Sequence, residues 1–199
     1  FEIGNYQLTK LICDTVKKSG KIIPIIFTSS TQAEENNPYG KSKLAAENVL
    51  KDLQKNNKNP VIIYRLPGVF GKWSKPNYNS VVATFCFNIA NKLPIKVNDP
   101  KKTITLVYID DVINSFLSYL EGSLTKEKIG HVYPEYSISL ENLANQIKQF
   151  ADSRNTLVTD KVGQGLKRAL YSTYLSFLPP EKFIYSIPFF PDDRGMFAE

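Results

Sequence analysis

Two short apolar runs, Ile22-Ile-Pro-Ile-Ile-Phe27 and Val61-Ile-Ile-Tyr-Arg65, constrain this chain most. Each is rich in β-branched and aromatic residues without polar alternation, the pattern of a strand covered on both faces of a parallel sheet. The first is closed by Thr28-Ser29-Ser30, and Pro24 is its weak point. Between the runs, Asn36-Asn37-Pro38 supplies a capping amide and a proline suited to a first helical turn, so a helix is predicted from about Pro38 to Asn56. Strand, helix and strand in that order predict a βαβ unit and an α/β fold.

The flanking segments extend this plan. Tyr6, Leu8, Leu11, Ile12 and Val16 recur at helical spacing before Lys17, Lys18 and Gly20, which predicts a helix over Asn5 to Lys18. Beyond Trp73 the spacing predicts a helix from Ser80 to Ala90, strands at Ile95 to Val97 and Ile104 to Ile109, and a helix from Asp111 to Glu121 capped by Asp110 or Asp111. A further helix, Leu140 to Phe150, starts at Ser139. Asp152 to Gly165 reads as a linker, and Tyr171 to Phe190 as an aromatic segment that packs on the sheet domain or leads to a neighbouring one. No internal repeat or low-complexity tract is present.

Composition narrows the function classes. Among 199 residues, 42% are hydrophobic, enough for a real core, and 25 Lys+Arg against 19 Asp+Glu give +6. That excess favours anionic partners, phosphorylated small molecules included. The lysine-rich stretch from Lys51 to Lys58 lacks interleaved aromatics and reads as a solvated face, so no nucleic acid partner is expected. Cys13 and Cys86 lie far apart in apolar segments, which leaves no disulfide framework and no CxxC metal site and points to a reducing compartment. No apolar stretch approaches the roughly 20 residues of a membrane span, so a soluble, cytoplasmic protein with no membrane partner is expected. His131 is the only histidine, which excludes a His-based triad or multi-histidine metal site within the chain, and no metal is expected.

The sharpest candidate site is Ser29-Ser30 at a strand end, followed by Tyr39-Gly-Lys-Ser-Lys43 on the next helix. Positions four apart on a helix differ by about 40° in azimuth, so Tyr39 and Lys43 share a face. Ligands of open α/β sheets bind beyond the carboxyl ends of strands, where the serines sit. An ammonium about 4 Å from a phenol, at an effective dielectric near 20, is worth roughly 4 kcal/mol, or about three pKa units. A neighbouring serine hydroxyl can hydrogen-bond the oxygen on which charge develops. Tyr6 and Lys10 repeat the spacing but follow no serine-terminated strand. Arg65, at a strand end, suits either a diphosphate or a structural salt bridge.

Phe27-Thr-Ser-Ser30, Asn37-Pro-Tyr-Gly-Lys-Ser-Lys-Leu-Ala-Ala-Glu47, Tyr64-Arg-Leu-Pro-Gly-Val-Phe-Gly71 and Leu106-Val-Tyr-Ile-Asp-Asp-Val112 resemble the successive signatures of extended short-chain dehydrogenases/reductases acting on nucleotide sugars, the NAD-dependent epimerase/dehydratase family. Phe70 to Cys86, Leu170 to Leu175 and Asp192-Asp-Arg-Gly195 resemble, more narrowly, its members from capsular polysaccharide synthesis, which join a reductase domain to a C-terminal cupin domain. The resemblance implies a partial Rossmann-like, doubly wound parallel sheet with a small α+β substrate-binding part. It divides the chain into half of a dinucleotide-binding domain at 1–72, a sugar-nucleotide part at 73–170, and a linker with the start of a cupin at 171–199.

The activity it implies is NADPH-dependent reduction of the 4-keto group of a UDP-2-acetamido-2,6-dideoxy-hexulose by a homodimer, with a UDP-sugar as substrate. In those roles Tyr39 gives the proton, Lys43 holds the nicotinamide ribose and lowers the tyrosine pKa, and Ser30 binds the reacting oxygen, with Ser29 its nearest rival. Ser29, Pro67, Gly68 and Val69 would line the cofactor, and Arg65, Asn77, Tyr78 and Asn79 the sugar nucleotide. A dehydratase would carry an Asp-Glu pair directly after the active-site hydroxyl, where this chain has Thr31-Gln32. The alternatives are an epimerase of the same family, or a non-catalytic nucleotide-binding regulatory relative. The family's opening strand and Gly-rich turn are not in this sequence. Gly68-x-x-Gly71 and Gly163-x-Gly165 read as turns, so a fragment, or a disabled relative, that binds cofactor poorly is expected.

Overall fold

In the computed structural model, which describes residues 1–122 and 129–198, the first strand starts directly after Pro24. Proline has no N–H to give a ladder. The expected start at Ile22 therefore moves to Ile25, β1 spans Ile25–Ser30, and Ile22 and Ile23 stay exposed outside it. Ahead of it, a π-helical turn at Ile3–Gln7 runs into α1 (Leu8–Ser19), whose last turn carries Lys17 and Lys18. The helix stops at Gly20, where φ of 64° suits a residue without Cβ.

After β1, α2 (Pro38–Asn57) begins as the sequence predicts: the Asn37 side chain accepts from the Gly40 amide at 2.7 Å, and Pro38 occupies the first turn. α2 buries Leu50 and Leu53 against Cys13 and Val16 of α1 and against Val61 and Ile63 of β2 (Val61–Leu66). β1 and β2 run parallel, in register from Ile25 opposite Val61 to Ser30 opposite Leu66, so the predicted βαβ unit is present.

Two compact units make up the chain, Phe1–Val69 with Ile109–Glu135 and Phe70–Tyr108 with Tyr136–Glu199. In the first, successive residues of β2 face opposite sides of the sheet. Arg65 reaches α2, while the fully buried Tyr64 donates its hydroxyl to the Ser115 carbonyl at 3.3 Å and packs on Phe116 of α4 (Ile109–Leu120). Helices thus cover both faces. β5 (Ile129–Gly130) joins the other edge of β2 in parallel. A Cβ on Gly130 would lie 2.4 Å from the Tyr64 ring, so this approach requires glycine.

The second unit is α+β. β4 (Thr103–Tyr108) runs antiparallel to β6 (Tyr136–Ser139), and β3 (Gly68–Phe70), whose Phe70 belongs to this unit, flanks β4. Helices α3 (Val81–Ala90), α5 (Leu140–Thr156) and α6 (Gly165–Leu175) bury Phe85, Cys86, Leu143, Ile147, Phe150 and Leu170 in one core. An exposed hairpin of β7 (Phe189–Asp192) and β8 (Gly195–Ala198) follows. The architecture is the α/β class the sequence predicts, a partial Rossmann-like parallel sheet with a small α+β part.

Several expectations need correction. Ile95 and Val97 form no strand; they pack on the second core without joining a ladder. α5 runs on to Thr156 because Ala151 continues its apolar face, and α6 lies across the end of the predicted linker and the start of the aromatic segment. Asp110 and Asp111 lie inside the first turn of α4, not at its cap, where their charges favour the helix N-terminus. Among the described residues no helix is long and apolar enough to cross a membrane.

Candidate active site

The end of β1 and the start of α2 are locked together by a tight turn. Ser30 is extended, and its Oγ accepts from the Gln32 amide at 3.2 Å, opening a 3-10 turn over Thr31–Glu34. The chain then enters α2 so close to that turn that a Cβ on Gly40 would lie 2.1 Å from the Gln32 carbonyl oxygen and 2.7 Å from that of Glu35. Only glycine allows this contact. It sets the first turn of α2, and Tyr39 with it, against the segment leaving β1.

Lys43 sits one turn further along. Its Nζ donates to the Thr28 carbonyl at 3.0 Å and lies over two aromatic rings, 5.2 Å from the Phe27 centroid and 5.9 Å from that of Tyr39. The two side chains share a face as their spacing predicts, with the ammonium over the ring. Burial pushes the Lys43 amine below its usual pKa, because the charged form is the one that loses solvation. Tyr39 is half-buried, and the Phe1 ring meets it edge-on at 5.2 Å. The Ser42 hydroxyl donates to the Tyr39 carbonyl at 2.7 Å and accepts from Asn5 Nδ2 at 3.0 Å, tying the N-terminal segment to this turn. The other pair at the same spacing, Tyr6 and Lys10, straddles the junction between the π-turn and α1.

Ser29 and Ser30 are both buried, but their hydroxyls are used differently. That of Ser29 donates to Glu47 Oε1 at 2.6 Å. Glu47, fully buried on α2, also takes the guanidinium of Arg65 in a two-point grip and the Lys51 ammonium at 3.3 Å. Burial acts to push its carboxyl up, yet the hydrogen bonds from Arg65 and Ser29 and the guanidinium charge outweigh it and hold the group below its usual pKa. Arg65 in turn is held above its ordinary value, first by its hydrogen bonds to Glu47. Its remaining amino group contacts Glu34. Arg65 thus makes the salt bridge that is one of the two roles expected of it.

Ser30 lies in register with Leu66, so Pro67, Gly68 and Val69 continue from the same end of the sheet. Pro67 and Val69 are half-buried and Gly68 is exposed. Asn77, Tyr78 and Asn79 belong to the second unit. Asn77 adopts a left-handed φ of 54° and donates its amide to Thr84 Oγ1 at 3.0 Å, while Lys75 lies over the exposed Tyr78 ring. His131 is exposed and stacks on Tyr133. A cavity of about 800 Å³ in the second unit, bordered by Lys148, Arg154, Tyr174 and Lys182, contains none of these candidate residues.

The donor set fits the nicotinamide end of a dinucleotide. Lys43 uses one of its three N–H donors on Thr28, which leaves others for ribose hydroxyls beside Tyr39. A pyrophosphate cradle is a different matter. Gly68 opens β3 and the residues after Gly71 form turns, while Gly165 opens α6 and the element ahead of it is α5, not a strand. Neither glycine pair joins a strand to a helix.

Glu47 and Glu34 are the residues that motif reading leaves without a role. Glu47 carries a signal, since it stands four residues after Lys43 and eight after Tyr39, on the inward side of the helix beside Ala46. A charge there needs a partner.

The model of the NAD dependent epimerase/dehydratase family matches residues 11–133. A UDP-2-acetamido-2,6-beta-L-arabino-hexul-4-ose reductase of Pseudomonas aeruginosa is 52% identical over 199 residues, all of this chain and 54% of that protein. A dTDP-D-glucose 4,6-dehydratase of Dictyostelium discoideum is 30% identical over 159 residues, 72% of this chain and 35% of its own length. Among solved structures, the capsular polysaccharide assembling protein CapF from Staphylococcus aureus superposes with a TM-score of 0.90 at 39% identity, over 96% of this chain and 53% of that one. The chain thus spans about half the length of the reductase and of CapF.

Proposed function

This chain belongs to the NAD dependent epimerase/dehydratase family, and on that premise we propose that it carries the reducing site of a sugar-nucleotide reductase. The reaction is NADPH-dependent conversion of the 4-keto group of a UDP-2-acetamido-2,6-dideoxy-hexulose to an alcohol, on the way to a capsular polysaccharide building block. The observation that carries this reading is 52% identity, across every residue of this chain, to a protein named for reduction of such a hexul-4-ose. Thr31-Gln32 after Ser30, in place of an acidic pair, supports reduction over elimination.

The nicotinamide cofactor, when bound, supplies the hydride. Tyr39 gives the proton that turns the developing alkoxide at C4 into a hydroxyl. Ser30, whose oxygen accepts from Gln32 and which still has its one proton to give, donates a hydrogen bond to the same oxygen as charge grows on it. Lys43, anchored on Thr28, orients the ribose beside Tyr39 and keeps a positive charge near the phenol ring. Pro67, Gly68 and Val69 line the nicotinamide side. The enzyme works in the cytoplasm as a homodimer.

The test is Tyr39→Phe in the intact protein. Keto-sugar-dependent oxidation of NADPH should fall by about 10² or more, with the far-UV spectrum unchanged. Undiminished turnover would remove Tyr39 as the acid, and retention of cofactor without net oxidation in the parent protein would mark an epimerase instead.

A further inference from the structure

A hydroxyl has a single proton to donate. At the end of β1, the Ser29 proton goes to Glu47 Oε1 at 2.6 Å, and that carboxylate is locked by the Arg65 fork at 2.9 and 2.8 Å. Ser30 Oγ accepts from the Gln32 amide, a contact that uses a lone pair and not its proton. Neighbouring residues of a strand face opposite ways, so fixing Ser29 toward α2 fixes the direction of Ser30. The anchor is rigid: the Glu47 side chain is fully buried, Arg65 projects from the adjacent strand β2, and Glu34 of the turn after Ser30 holds the far side of the same guanidinium. β1, β2, α2 and the turn are therefore tied through the Glu47–Arg65 pair, next to the helix face that bears Lys43.

We propose that Glu47 is a positioning residue, which, clamped by Arg65, draws the Ser29 hydroxyl inward and so sets the rotation of the β1 end that presents Ser30 to the reacting carbonyl oxygen. This rests on the reductase reading. It also separates the two serines, since Ser29 serves as the anchor and Ser30 as the donor to substrate.

Three variants of the intact protein test the clamp. Glu47→Gln keeps the shape of the side chain and removes its charge, Ser29→Ala removes the anchored hydroxyl, and Ser29→Thr keeps one. The first two should lower kcat for NADPH oxidation by about ten- to a hundredfold with KM for the keto sugar unchanged, the signature of a misplaced donor. Ser29→Thr should restore kcat. A residue important only for folding would lower the Tm and leave kcat of the folded fraction intact. Amide deuterium exchange gives a readout independent of turnover. Exchange over residues 27–32 should quicken in Glu47→Gln and Ser29→Ala while that over residues 48–57 stays as it was. Unchanged exchange at 27–32, or a kcat equal to the parent's in both variants, overturns the clamp. A parent protein that oxidises no NADPH with the keto sugar overturns the reductase reading instead, and the exchange data then decide the clamp by themselves.

Discussion

Arg65 and Glu47, on β2 and α2, meet in a two-point grip, Nε on Oε1 at 2.9 Å and Nη2 on Oε2 at 2.8 Å. The pair makes the stability of the first unit dependent on acid. Burial favours the protonated carboxyl, but hydrogen bonds from Arg65 and Ser29, with the guanidinium charge, win and lower the folded-state pKa of Glu47. A lowered value means stability that is complete above the unfolded-state pKa and is lost as pH falls through the folded one. At pH 7, Glu47→Gln should lower unfolding free energy by about 3 kcal/mol, since it leaves the guanidinium with only the exposed Glu34 as counter-charge. The gap between parent and variant should narrow below about pH 4, as the parent's own carboxyl is neutralised. Urea midpoints across pH 3 to 7 measure this, and a gap independent of pH would rule the coupling out.

Gly40 offers a steric test. Its missing Cβ is what lets α2 press on the Gln32 and Glu35 carbonyls, both of them backbone atoms that cannot swing aside. Gly40→Ala should destabilise the protein by about 1–3 kcal/mol despite alanine's better helix propensity. Turnover should fall as well, since the shift falls on the turn that carries Tyr39. A variant as stable and as active as the parent would mean that the turn has slack the contact distances do not suggest.

How much of this was legible in the sequence depends on whether the signal is local. Asn37-Pro38, Ser139 and Gly20 mark helix ends by their own chemistry, and each does so in the structure. β1 and β2 announce themselves because a parallel strand buried on both faces is a continuous apolar run. Ile95 and Val97 show the limit, since an apolar pair meets the core equally well with or without a ladder partner. β5, two residues long, exists through Gly130 fitting against Tyr64, a relation between segments 66 residues apart in the chain. The same holds in the site. Tyr39 and Lys43 are a spacing, readable along one helix. The spacing within α2 marks Glu47 only as an inward charge in need of a partner, and its task is set by Ser29 and Arg65, each eighteen residues away on a different strand.

The two thiols should be inert in the native protein. Cys13 and Cys86 have no exposed surface, and burial pushes both pKa values up, so little thiolate forms and little of it is reachable. In the intact protein neither should react with a thiol-exchange reagent at pH 8 until denaturant is added, when both should titrate. Fast labelling of Cys86 without denaturant would mean that the second core opens locally far more often than its packing implies.

Lys43 sets a stability cost against the role proposed for it at the site. Its ammonium is desolvated among Phe27, Tyr39 and the end of β1, and burial lowers its pKa. The folded state therefore holds the proton more weakly than the unfolded chain does. The cost of the buried charge is full below the folded-state pKa and is relieved as pH rises through that value toward the unfolded value of about 10.4. Lys43→Met keeps the length of the stem and removes the charge, so it should raise the urea midpoint at pH 7, with the gain shrinking toward pH 10. Keto-sugar-dependent NADPH oxidation should fall by about 10² in the same variant, because in the proposed site the ribose would lose its donor and the phenol its neighbouring cation. Opposite movements of stability and activity are what a functional cation held against desolvation requires. A variant that loses both would instead show that the hydrogen bond to Thr28 and the contacts with the two rings outweigh the desolvation, and that Lys43 is first of all part of the fold.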